Sequence, residues 1–328
     1  MIIDVHTHVV PENFPEYTGS NAATRWPSMG CCDQPHHKSV LIAGKTFREV
    51  SHHSWDVSQR LLDMQVESVD RQVLSPMPEL LSYWFDVDDA LRMCEHMNQT
   101  IASMVASSPA HFYGLGMVPM QDPERAAKEM SRLRADYGLV GIEVGTNING
   151  RPIGDPFFEP IFAAAVEHDL SIFIHALHPA GVERVLGPPA MSALVAFPNE
   201  TAFAAASLVS GGMLSKYPQL RVGLSHGGGG FALMLPRMMH GWETMGRHLF
   251  TESPAELARR LYYDTLVYDN EALHYLIKTF GVEQLMLGSD YPFVIRERLP
   301  NKRLQSLGLS EHDLARLQSI NAQRFLAC

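Results

Sequence analysis

His6 and His8 stand one residue apart at the end of the aliphatic run Ile2–Val5. Residues two apart in a strand share a face, so both imidazoles can enter the same space. His175 closes the run Ser171–Ile174, His226 follows Arg221–Ser225, and Asp290 follows Leu285–Ser289. Each alone is as readily a hydrogen-bonded structural group. Four strand ends that together carry His or Asp are far harder to obtain by chance. Two or three imidazoles with a carboxylate suit a divalent ion of borderline softness such as zinc. An open position on that ion would hold a water whose pKa falls towards ~7.

Those residues need a scaffold that gathers distant strand ends. Eight short apolar runs, Ile2–Val5, Arg71–Leu74, Tyr113–Val118, Leu139–Val144, Ser171–Ile174, Arg221–Leu224, Leu261–Tyr263 and Leu285–Leu287, are expected as strands. Amphipathic stretches separate or follow them: Val57–Val66, Val87–Ala106, Pro123–Ala135, Pro160–His168, Thr201–Lys216, Phe231–Trp242, Glu271–Thr279 and Glu311–Phe325. Asp122 before Pro123 reads as a helix cap, and Pro218 as a helix stop. Alternating strands and helices imply parallel pairing with right-handed crossovers, and eight such units imply a closed TIM (β/α)8 barrel. Its strands all end at one rim, where active sites are built. An open doubly wound sheet would want a glycine-rich turn after the first strand, and this chain has His-Thr-His there.

Residues 9–56 interrupt the rhythm and are expected to form a cap inserted after the first strand, over that rim. No linker or repeat divides the chain, so residues 1–328 read as a single domain. The four glycines 227–230 after His226 fit a tight strand-to-helix turn; no GxxxxGK[ST] pattern supports a phosphate loop.

With 328 residues and 46% apolar content, the chain can bury a large core. A net charge of -10 without Lys/Arg blocks argues against nucleic acid and anionic membrane as partners. The first residues lack a basic segment followed by an apolar one, so no signal peptide is expected, and no apolar run approaches the length of a membrane span. Four cysteines without CxxC spacing read as reduced thiols of a cytoplasmic protein.

Several segments resemble the decarboxylase branch of the amidohydrolase superfamily, in particular the 2-amino-3-carboxymuconate-6-semialdehyde decarboxylases. They are Ile3-Asp4-Val5-His6-Thr7-His8, Phe47-Arg48, Trp55-Asp56, Val118–Asp122, His226 with its glycines, and Leu287-Gly288-Ser289-Asp290-Tyr291-Pro292-Phe293. The resemblance spans nearly the whole chain. It implies one divalent metal, Zn2+ foremost and Mn2+ as an alternative, held by His6, His8, His175 and Asp290. It implies His226 as the acid–base catalyst beside that metal. It also implies Arg48 as an anchor for a substrate carboxylate, with Phe293 in the substrate pocket. Arg237 matches a second anchor that reaches the neighbouring site of a homodimer. A planar guanidinium forks onto a carboxylate through two parallel bonds, so two such anchors suit a dicarboxylate. The sequence departs from the branch after His175, in Ala176-Leu177-His178-Pro179, so His178 competes with His175 as the aligned ligand.

The implied reaction is non-oxidative decarboxylation of a small carboxylated muconate-like or aromatic acid, with no organic cofactor. The same ligands would also serve a hydrolase or hydratase of an aromatic ring-cleavage product. A non-catalytic ligand-binding barrel is the reading from a different class.

Overall fold

The structure is a computed structural model that describes residues 1–21, 24–250 and 252–328; the expected cap spans residues 22 and 23, which lie outside the described set. Eight parallel strands follow one another in chain order: β1 (Ile3–Val9), β2 (Arg71–Pro76), β3 (Phe112–Gly116), β4 (Gly141–Gly145), β5 (Ser171–His175), β6 (Val222–Leu224), β7 (Tyr262–Asp264) and β8 (Leu285–Met286). The circle closes through the residues after β8. Val5 N–H donates to Leu287 O (2.9 Å), Asp290 N–H to His6 O (2.9 Å) and His8 N–H to Tyr291 O (2.7 Å). The expected (β/α)8 barrel is therefore present, and its closure itself pins Asp290 beside β1.

Within β1 the pairing with β2 shifts. Asp4 pairs with Gln72 and Thr7 with Leu74, three steps on one strand against two on the other. One extra residue reverses the alternation of a strand. Ile3 and Val5 pack with Val73, Leu115, Phe173 and Met286 in the inner cluster, while His6 lies against the Phe173 ring at 5.4 Å. A strict two-residue period could not aim both Val5 and His6 inward; the bulge permits it. Ala322, Phe325 and Leu326 of the final helix complete this inner cluster.

The outer layer contains α1 (Val57–Glu67), α2 (Val87–Ser107), α3 (Pro123–Tyr137), α4 (Glu159–Glu167), α5 (Phe197–Ser210), α6 (Phe231–Met245) and α7 (Asn270–Phe280). Asp122 caps α3 by accepting from Arg125 N–H, with Pro123 in the first turn, as its sequence signals require. The expected helix Thr201–Lys216 is instead two. It starts at Phe197, stops at Ser210, and restarts as Met213–Lys216. Gly211 approaches the chain so closely that a Cβ would lie 2.0 Å from Gly154 O, and Gly212 takes φ +82°, so the pair breaks the helix. The closing stretch Glu311–Phe325 is likewise segmented, with a wider turn at Arg316–Ile320 between Glu311–Ala315 and Asn321–Leu326.

Residues Pro27–Cys31, His37–Ile42 and Lys45–Ser51 form an antiparallel three-stranded sheet. Val40 and Val50 of this cap join the main core, so the insertion is packed onto the barrel. Cys31, Cys32, Cys94 and Cys328 are all free thiols. Among the described residues no helix is long and apolar enough to cross a membrane.

Phe325 is fully buried where the last helix enters the inner cluster. Replacing it with Ala should destabilise the protein by about 3–5 kcal/mol, read as a shift of the urea midpoint.

Candidate active site

His6 and His8 project from β1, His175 from the end of β5, and Asp290 from the closing segment after β8. One ligand atom from each lies within 4.8 Å of the others, and all four residues are buried. His6 Nε2 and His8 Nε2 are 3.1 Å apart, and Asp290 Oδ1 lies 3.1 Å from His8 Nε2 and 3.4 Å from His6 Nε2. His178, the alternative to His175, is absent from this group and packs its ring on Trp84 at 5.1 Å.

Each imidazole has its other nitrogen occupied. His6 Nδ1–H donates to Asp264 Oδ2 (2.7 Å), His8 Nδ1–H to Pro76 O (3.2 Å) and His175 Nδ1–H to Ala176 O (2.9 Å). That choice of tautomer leaves three Nε2 lone pairs facing one point. Among the described residues, His175 Nε2 and Asp290 Oδ1 are buried with no hydrogen-bond partner. Buried acceptors facing one another without donors repel, and a cation at their centre would satisfy all four. Three imidazoles and one carboxylate therefore fit a single divalent ion. The surroundings also favour positive charge. Burial lowers the pKa of His6, but the hydrogen bond to Asp264 and the charges of Asp290 and Asp264 outweigh it and raise the value to about 9.

His226 sits beside this group, its ring 5.0 Å from that of His175 and 5.4 Å from that of His6. Its Nδ1 lies 3.0 Å from Ser225 Oγ. Burial, then the neighbouring His6, lower its pKa to about 4 against the opposing pull of Asp264 and Asp290. The imidazole is thus neutral at pH 7 and able to accept a proton. The glycines that follow form a turn: Gly227 N–H donates to Asp264 Oδ1, Gly228 N–H to Ser225 O and Gly229 N–H to His226 O. The amides of Gly227, Gly228 and Gly229 are committed within the chain, which argues against a phosphate cradle. His226 and Asp290 both adopt left-handed backbone, at φ +55° and +68°. Such conformations cluster at sites whose surroundings hold them in place.

His175 and Asp290 of the metal group, together with His226, border a cavity of about 350 Å³. Arg48, from the last cap strand, and Phe293 line it too. The Arg48 guanidinium lies 4.6 Å above the Phe293 ring, which stacks on His8 at 5.0 Å. Arg237 does not border this cavity; it is exposed on α6.

The amidohydrolase family profile matches residues 3–327. The chain belongs to the amidohydrolase family. This amidohydrolase is 34% identical to 2-amino-3-carboxymuconate-6-semialdehyde decarboxylase of Dictyostelium discoideum, over 99% of its own length and 91% of the relative's. Its structure is similar to that of 5-carboxyvanillate decarboxylase from Sphingomonas paucimobilis, with TM-score 0.75, 29% identity and 83% of each chain covered. The 5-carboxyvanillate decarboxylase of Novosphingobium aromaticivorans, crystallised with manganese and a nitrobenzoic acid, shares the fold at TM-score 0.75 and 23% identity, covering 84% of this chain and 82% of that one.

Sequence reasoning missed Asp264 of this amidohydrolase. Besides His6 Nδ1, its carboxylate accepts the N–H groups of His226 (2.9 Å), Gly227 (2.7 Å) and Leu266 (3.0 Å). The signal was present: Asp264 follows Leu261–Tyr263 just as Asp290 follows its own apolar run, and the expected strand stopped one residue short. Glu143 of β4 was also missed. Burial drives its pKa up to about 8 although Ser75 Oγ donates to it at 2.5 Å.

Asp264→Asn should weaken metal binding about 10–100-fold, because an amide has one acceptor oxygen where Asp264 has two, so its NH2 group must face either His6 Nδ1–H and the His226 amide or the amides of Gly227 and Leu266. Asp290→Ala should leave metal content well below one ion per chain. Elemental analysis after dialysis checks both; full occupancy in Asp290→Ala would remove that residue from the ligand set.

Proposed function

We propose that this amidohydrolase is a metal-dependent, non-oxidative decarboxylase of a small aromatic or muconate-like acid. His6, His8, His175 and Asp290 hold one divalent ion in this reading. The observation that carries it is the shared cavity, which His175 and Asp290 of the metal group, His226 and Arg48 all line. The likeness to the Dictyostelium decarboxylase over almost the entire chain supports the reaction class. The three-nitrogen, one-oxygen donor set favours zinc; manganese, present in the Novosphingobium structure, is the alternative.

A divalent ion in this group supplies Lewis acidity towards the bound acid. Arg48 forks onto a carboxylate, and Phe293 gives the unsaturated skeleton a flat apolar wall. His226 takes up a proton from solvent at Nε2 and delivers it to the carbon that bears the departing carboxylate. Conjugation is interrupted at that carbon. The electrons of the C–C bond then flow back into the π system, and carbon dioxide leaves.

Arg237 is assigned to the neighbouring site of a homodimer. Its exposed position on α6, beside the exposed Leu233, supports that placement. We take the assembly to be soluble and cytoplasmic, as its free thiols suggest.

With its metal in place, the protein should release carbon dioxide from a panel of carboxylated muconates and hydroxybenzoates, and mass spectrometry should find no water added to the product. A hydrated or hydrolysed product would overturn the reading. His226→Ala should retain metal while turnover falls about 10²–10⁴-fold; normal turnover would cancel its role. Inactive Arg48→Ala and Arg237→Ala chains, mixed and reassembled, should recover activity because one site of each heterodimer then has both arginines. No recovery would argue against the shared site.

A further inference from the structure

Arg60 of α1 is completely buried, and the reaction above gives it no part. Burial pulls its pKa down to about 10, so the guanidinium still carries its charge at pH 7. Among the described residues no carboxylate forms a salt bridge with it; Asp4 and Asp63 act on it only from farther away. An enclosed cation without a salt bridge is costly, and an apolar side chain of similar volume would serve packing as well or better. The contacts of Arg60 therefore indicate why the charge is there.

Arg60 Nη2–H donates to His8 O at 2.7 Å, and Nη1–H donates to Gln72 Oε1 at 3.1 Å and to Thr7 Oγ1 at 3.4 Å. Thr7 stands between the two ligand histidines, so β1 is held from the helix layer where it carries them. The same guanidinium lies 4.6 Å from the centre of the Tyr291 ring. Tyr291 follows Asp290 in the chain and is completely buried, and its hydroxyl donates to Asp63 Oδ2 of α1 at 2.7 Å. A second guanidinium, Arg296, also lies over this ring, at 5.0 Å, but Glu67 neutralises it at 3.1 Å. Arg60 thus touches both arms of the metal group, the His8 carbonyl on β1 and the side chain next to Asp290. Asp290 Oδ1 and His8 Nε2, 3.1 Å apart, belong to those two arms.

We propose that Arg60 is a positioning residue of the metal group, holding the His8 carbonyl and the Tyr291 ring together so that His8 and Asp290 meet at one ion. This rests on the metal-dependent reading of the site and adds a residue to it. A planar guanidinium can donate along its edge while its flat face lies on a ring, which an ammonium group cannot do. Arg60 touches neither the ion nor the acid; it acts through the two ligands.

The test measures metal affinity of the full-length protein, stripped with a chelator and titrated with Zn2+ and with Co2+ against a competing indicator. The temperature is one at which circular dichroism shows the metal-free variants folded. Arg60→Lys keeps the charge and should bind either ion about 10–100-fold more weakly. The visible absorption of its cobalt form should change, because the donors no longer share the same geometry. Tyr291→Leu removes the ring and should weaken binding similarly. The double variant should be little worse than either single one, since both break the same contact. If Arg60→Lys does not fold, Arg60→Met fills the volume without the charge and takes its place. A purely structural residue would lower the melting temperature of the metal-free protein and leave metal affinity and the cobalt spectrum unchanged. Wild-type affinity in the Arg60 variant, or strictly additive losses in the double variant, would overturn the proposal. A wild type that takes up no divalent ion would sink the metal reading itself, whereas a wild type and an Arg60 variant that bind equally tightly sink only the role of Arg60.

Discussion

A carboxylate buried beneath the rim of the barrel, Asp264, organises the whole site. It must be fully satisfied because charge out of contact with water is expensive. Donors reach it from three directions: the His6 ring on β1, the amides after β6 and the amide of Leu266. Burial pushes the Asp264 pKa up, but these hydrogen bonds and the nearby imidazoles hold it below the ordinary range, so the group stays ionised. One anion thereby sets the tautomer of a ligand and the backbone position of His226. Both are met by one carboxylate.

Much of this was legible in the residues. The barrel follows from eight apolar runs, and the metal group from polar residues placed where those runs end. Where reading failed, the cause was tertiary. The break at Gly211 depends on close approach to Gly154, which no local pattern announces. Asp264 escaped because strand limits carry an uncertainty of a residue or more, and here one residue separated an ordinary terminus from a pivotal carboxylate. His175 was favoured over His178 because it closes an apolar run, and the barrel sets the two apart: one belongs to β5, the other packs on Trp84.

The cap contributes chemistry as well as cover. Its third strand carries Arg48 to the cavity, and its apolar residues Val40 and Val50 fasten it to the barrel. The metal group arises from the circle of strands and its closing segment, while Arg48 and Phe293 of the cavity come from the cap and a loop at the rim. This division lets substrate preference change without disturbing the metal group.

The extra residue in β1 has a consequence for how this lineage can vary. The inner apolar plug and the two ligand histidines lie on one strand in opposite phases, reconciled only between Asp4 and Thr7. Removing or adding a single codon there would rotate one set out of the barrel while leaving the other in place. Point substitutions can be absorbed along this strand, but a change of length cannot, so its reading frame of side chains is the least negotiable part of the molecule.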